Sequence, residues 1–134
     1  MTTSRYMTIA TADADGVPWV SPVWFAPDAD DALLWVSDPA ARHSRNIAVR
    51  PRVAIVVFDS RVAPADAAAL YLTADAAEAD PGAIAAFSRE SVAQGLAGWG
   101  VEDVTGDARH RLYRAVIRER WELGPGDRRI PLAG

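Results

Sequence analysis

The sequence predicts a small, mainly β protein in which about six strands form an antiparallel barrel and two helices interrupt them. Three observations carry this. Short apolar and β-branched runs follow one another, with Gly, Pro and Asp at their ends. Only two segments pair a helix start signal with helical spacing. Strands do not alternate regularly with helices, as a parallel βαβ sheet would require.

Residues 6–13 read as the first strand, and Asp15-Gly16 as a turn. Residues 19–25 form a second strand, apolar on both faces. Pro22 lies inside it. Proline cannot donate to a ladder, so a local break is expected beside Ser21, Val23 and Trp24, freeing backbone groups for the edge of a planar ligand. Residues 27–31 read as a loop. Asp28, Asp30 and Asp31 lack the full spacing of a calcium loop, and a hairpin explains them better.

Residues 33–37 form the third strand, and Asp38-Pro39 follows as the expected N-cap and first helical position. The helix carries Arg42, His43 and Arg45 early and ends before Pro51, with Asn46 expected on its surface. A fourth strand covers 52–59 and a fifth 69–77. Asp80-Pro81 repeats the start signal for a helix over 81–96, with Ile84, Phe87, Ser88, Ser91, Val92 and Leu96 on one face. Gly95, Gly98 and Gly100 end it and frame Trp99.

The last strand spans 111–123. Simple alternation puts Tyr113, Ala115, Ile117, Trp121 and Leu123 on one face and Arg114, Arg118 and Arg120 on the other. Glu119 then falls among the apolar residues, which calls for an Arg across a dimer or a register shift at a bulge. The tail from Gly124 onward reads as irregular. Strands apolar on both faces need more cover than two helices give, so a partner subunit is expected.

The chain has 134 residues, enough for one domain over 1–134. No apolar run reaches membrane-spanning length, and the first twenty residues lack a basic start before an apolar stretch, so a cytoplasmic location is expected. The net charge of −4 argues against general nucleic-acid binding. With Cys 0, disulfides, thiolate metal sites and a Cys nucleophile are excluded. All 14 basic residues are Arg, which removes a Schiff-base lysine and a P-loop lysine. His43 and His110 are the only imidazoles, and His110, beside Asp107 and Arg109, reads as a surface residue.

The segment 33–52 carries the chemistry. A helix N-terminus attracts anions through free N–H groups and its dipole, and guanidinium groups beside it strengthen a phosphate site. Arg42, His43 and Arg45 therefore form a candidate phosphate grip for a bound cofactor. Asp38 weighs against this, because it already offers the helix a negative cap.

Four runs in this order resemble the pyridoxamine 5′-phosphate oxidase-like family, the FMN-binding split barrels: residues 9–25, 34–38, 42–47 and 50–54. The resemblance covers nearly the whole chain. It implies a six-stranded antiparallel split barrel with two helices, and a homodimer with cofactor sites at the interface. By this resemblance Ser21, Pro22, Val23 and Trp24 line the isoalloxazine. Val36 and Ser37 lie beside the ribityl-phosphate, and Arg42 with His43 grips the phosphate. His43 stands where the family usually has Lys, so the grip is expected to weaken as pH rises above the imidazole pKa. Trp99 and Arg111 match, more loosely, groups reaching into the partner's site.

Other departures point away from pyridoxamine phosphate as substrate. The family's substrate-phosphate lysine falls near Ala26, and Arg109-His110-Arg111 replaces an Arg-x-His-x-Arg pattern. The amide opposite the flavin pyrimidine falls near Ala69, and the helix before the first strand is reduced to 1–5. The resemblance thus implies an FMN-dependent oxidoreductase acting on another small molecule. The deazaflavin F420 is the alternative cofactor, since related barrels bind it and the Ala- and Arg-rich, Lys-free composition suggests a high-GC genome. A non-catalytic flavin-binding dimer is the second class. Haem is a third possibility, although neither His43 nor His110 sits in a haem motif.

Overall fold

A computed structural model describes residues 5–29 and 31–133. The strands are β1 (Tyr6–Ala12), β2 (Pro18–Trp24), β3 (Ala26–Asp28), β4 (Ala32–Ser37), β5 (Arg52–Phe58), β6 (Ala69–Glu78), β7 (Arg111–Leu123) and β8 (Arg129–Pro131). The helices are α1 (Arg42–Val49), between β4 and β5, and α2 (Ile84–Ala93), between β6 and β7. The six long strands are those expected. The short β3 and β8 lie in stretches read as a loop and an irregular tail.

Every pairing is antiparallel, in the order β2-β1-β5-β6-β7-β4-β3, with β8 added beside β7. The edge strands β2 and β3 are separated in sequence by Phe25 alone. Two residue steps span at most about 7 Å, so the sheet must curl until its edges meet there. Phe25 is buried, and its N–H bonds the Arg5 carbonyl at 3.1 Å.

Pro22 causes no break. The β1–β2 ladder runs unshifted from Tyr6↔Trp24 to Ala12↔Pro18, and Pro22 is tolerated because β2 is an edge strand. The bulge reading of Glu119 holds. Thr73 faces Glu119 but Ala74 faces Ile117, so Arg118 is the extra residue and strand parity flips there. Glu119 accepts a hydrogen bond from the Thr73 hydroxyl at 3.0 Å. Trp121 therefore leaves the face of Tyr113 and Ala115 and lines a shallow outer groove with Tyr71. Among the acidic loop residues, Asp28 pairs with Arg114 at 3.0 Å and the Asp31 carbonyl accepts from Ile117; Asp30 lies outside the described residues.

The barrel interior is filled by Met7, Ile9, Phe25, Trp35, Ile55, Val57 and Leu72, with Ile47 of α1 in the same cluster. A second cluster joins Leu34 of β4 and Leu112 of β7 to Ile84 and Phe87 of α2. So β4 is buried on both faces because α2 covers its outer one. On the outer side of β1 and β2, Trp24 packs against Phe87 of α2, while Tyr6 is 60% and Val20 59% exposed.

Replacing Phe25 by Ala removes the side chain at the corner where both sheet edges meet. A loss of about 3–5 kcal/mol in urea unfolding is expected. A loss under about 1 kcal/mol, typical of surface changes, would show that the corner does not hold the barrel.

Candidate functional site

The helix start differs from expectation. Asp38 Oδ1 accepts from the Ala40 N–H at 2.8 Å, and the Asp38 carbonyl accepts from the Ala41 N–H at 3.0 Å. The Asp-Pro pair thus builds a turn. Helix α1 begins at Arg42 with Ala41 as N-cap, and no side chain caps it. Asp38 therefore does not occupy the helix N-terminus, and the free N–H groups of the first turn keep their attraction for anions. Asp38 is held below the usual carboxylate range by the Ala40 N–H, then by Arg109, whose Nε lies 3.2 Å away.

Beside this turn lies a cleft of about 580 Å³. One wall is the end of β2, with Pro22, Val23 and Trp24. Val36 and Ser37 at the end of β4 form the floor, and His43 enters from the first turn of α1. Phe87, Ser91, Leu96, Ala97 and Trp99 close the side formed by α2 and its following loop. Tyr6 and His110 complete the lining.

The aromatic side is a chain of edge-to-face rings. Trp24 meets Phe87 at 5.2 Å, Phe87 meets Trp99 at 5.8 Å, and Trp99 meets His110 at 6.3 Å. Two serines of α2 hold the loop bearing Trp99. Ser88 Oγ accepts from the Trp99 N–H at 2.9 Å, and Ser91 Oγ donates to the Ala97 carbonyl at 2.6 Å. Gly95 takes φ +79, a conformation glycine adopts without steric cost, and so turns the chain out of the helix.

The polar end is Ser37 and His43, whose Oγ and Nε2 lie 2.9 Å apart. Burial pushes the His43 pKa below its ordinary 6.5, so the imidazole is neutral at pH 7. No Arg of the described residues lines the cleft. Arg42 lies over the Trp19 ring at 4.2 Å, and Arg45 is exposed on the helix. Arg111 bonds carbonyls of its own chain.

Of the expected site residues, Pro22, Val23, Trp24, Val36, Ser37, His43 and Trp99 are thus brought together, while Ser21, Arg42, Arg45 and Arg111 stand outside the lining. Asn46 is buried rather than on the surface, and donates to Thr11 Oγ1 at 3.0 Å. Sequence reasoning passed over Tyr6, Phe87, Ser91 and His110 as site residues. The helical spacing of Phe87 and Ser91 pointed them inward; nothing local pointed His110 towards the cleft.

The family profile described as Pyridoxamine 5′-phosphate oxidase matches residues 1–123. Among solved structures, the chain is similar to HutZ, the heme storage protein from Vibrio cholerae: 22% identity, TM-score 0.67, covering 87% of this chain and 83% of that one. It is similar to a heme binding protein from Mycobacterium smegmatis at 20% identity and TM-score 0.75, over 98% of this chain but only 53% of that one. An F420 reductase matches at 23% identity and TM-score 0.62, over 86% of this chain and 87% of that one. These likenesses establish the fold. No curated protein matches the chain.

The depressed His43 pKa has a consequence for stability. The unfolded chain binds a proton at His43 near pH 6.5, whereas the folded chain resists it. This contribution to stability is full above pH 6.5 and declines as pH falls from there towards the folded-state pKa. In urea unfolding at stepped pH, His43→Gln is expected to flatten the slope just below pH 6.5; an unchanged slope refutes the burial assignment.

Proposed function

The chain belongs to the pyridoxamine 5′-phosphate oxidase family, and from that premise we propose that its cleft binds a flavin-type cofactor, FMN or F420, for oxidoreduction of a small molecule other than pyridoxamine phosphate. One observation carries the reading. Segments distant in sequence, the end of β2, the end of β4 and the start of α1, converge on one cleft. They are the segments that the family resemblance assigns to ring, ribityl chain and phosphate. The cleft volume of about 580 Å³ lies in the range of small-molecule sites.

The residues fit such a group. Trp24 and Trp99 flank the apolar part of the cleft, and Ser37 with His43 offers hydrogen bonds at its polar end. The uncapped start of α1 adds free N–H groups. Arg42 precedes His43, and an exposed cation–π contact such as its stack on Trp19 is worth only about 0.5–1 kcal/mol. Its guanidinium can therefore leave Trp19 at small cost and pair with a phosphate. When bound, a flavin supplies the hydride chemistry, and the protein supplies placement and electrostatics.

We also propose a homodimer. Beyond Trp24, the outer side of β1 and β2 exposes Tyr6 and Val20, and Tyr6 also lines the cleft. A second copy seated there would bring the cleft to the interface, which favours closed two-fold pairing.

A second reading, haem binding, is favoured by a specific observation. Both histidines of the chain lie on this one apolar cleft. An imidazole is a common axial ligand of haem iron.

Titrating the purified chain with FMN, F420 and haemin separates the readings. FMN or F420 is expected to bind with its fluorescence altered, and His43→Ala to weaken FMN at least about tenfold, as loss of a charged-group hydrogen bond does. A sharp Soret band from haemin, lost in His110→Ala or His43→Ala, without flavin binding, would establish the haem reading instead. Binding of none of the three refutes both. NAD(P)H oxidation by the flavin-loaded protein distinguishes an enzyme from a non-catalytic flavin-binding module. A sedimentation mass near twice 14.4 kDa, reduced to the monomer by Val20→Glu, is expected for the dimer.

A further inference from the structure

We propose that Arg111 is a positioning residue, clasping the loop 106–110 so that the His110 imidazole is held as one wall of the cleft. This rests on the cleft being the ligand site.

The first residue of β7 turns its side chain back over the loop that precedes it. Arg111 Nη1 donates to the Ala108 carbonyl at 2.7 Å and to the His110 carbonyl at 2.8 Å, and Nη2 donates to the Gly106 carbonyl at 2.8 Å. A planar guanidinium can bond three carbonyls in a fixed arrangement, whereas the ammonium of Lys is a compact point charge on a flexible stem. Arg111 forms no ion pair with a carboxylate among the described residues. Its donors are directed onto neutral backbone, so its contribution here is to shape.

The loop needs such a clasp. Gly106 has φ +59, and the Ala108 N–H bonds the Thr105 carbonyl at 3.0 Å, which makes a tight reversal. His110 is exposed, and among the described residues its aromatic contact is an edge-to-face pair with Trp99 at 6.3 Å. Core packing therefore does not fix it. A loosely held imidazole would have to be ordered by the incoming ligand, which lowers affinity; backbone fixed in advance removes part of that cost. The other tether is the Arg109–Asp38 pair at 3.2 Å, with the Arg109 side chain 81% exposed. Ion pairs that exposed add little, so Arg111 carries the restraint.

The test uses the full chain, with FMN, F420 and haemin as probes. In the wild-type protein, the Arg111 Nη–H protons are expected to exchange with solvent more slowly than those of the exposed Arg45, and the His110 imidazole to give a single NMR signal. Arg111→Lys is expected to keep the circular dichroism spectrum but broaden or double the His110 signal. It is expected to weaken the probe that binds by the same factor as His110→Ala, with no further loss in the double variant. Fast Nη–H exchange in the wild type, an undisturbed His110 signal in Arg111→Lys, or additive losses in the double variant would each overturn the proposal. If none of the three probes binds the wild type, the ligand reading fails, while exchange and the His110 signal still decide the role of Arg111. If Arg111→Lys does not fold, the wild-type exchange measurement decides alone.

Discussion

Trp24 ends one edge of the sheet and Ala26 begins the other, so a single residue joins strands that stand at opposite ends of the seven-strand path. Much of the molecule follows from that. The curl puts Met7, Ile55 and Leu72 in a shared interior. It brings the end of β2 beside the end of β4, where Trp24 and Val36 join the cluster under α2. Because β4 leads through a short turn into α1, His43 arrives within hydrogen-bond reach of Ser37. The cleft is a consequence of closure.

The cleft has an apolar side and a polar end, and the two are held differently. Rings packed edge to face, from Trp24 through Phe87 to Trp99, depend on burial and on the serines of α2 that hang the loop in place. The polar end depends on a neutral serine–histidine pair and an uncapped helix start. The nearby arginines are engaged elsewhere: Arg42 on Trp19, Arg109 on Asp38, Arg111 on loop carbonyls. The cleft as folded therefore offers shape and hydrogen-bonding groups first, and charge is available through rearrangement of a surface side chain.

Local chemistry was legible where it acts over a few residues. The bounds of β7 and the stop of α1 before Pro51 are short-range effects of β-branching and proline; at Asp80 the carboxylate caps a short 3-10 turn over Pro81–Ala83, and α2 begins only at Ile84 with no side-chain cap. The Asp38-Pro39 signal was ambiguous, because an Asp side chain bonding two residues on caps a turn as readily as a helix. At Pro22 the local rule was sound, but whether a proline breaks a ladder depends on whether its strand has a neighbour on that side. Alternation misassigned Trp121 because a bulge adds one residue and inverts every later face.

By itself the sequence determined the six long strands, the two helices, the family and the segments 21–24, 36–37 and 42–45 as those of interest, since periodicity, turn residues and motif order are written along the chain. Only the tertiary structure decided which of those side chains share one space. It set His43 inward and Arg42 outward, although they are neighbours, because α1 packs one face against the barrel. It brought His110 across from a distant loop to the same cleft as His43. Contacts between residues far apart in the chain depend on how the sheet closes, and no local pattern encodes that closure.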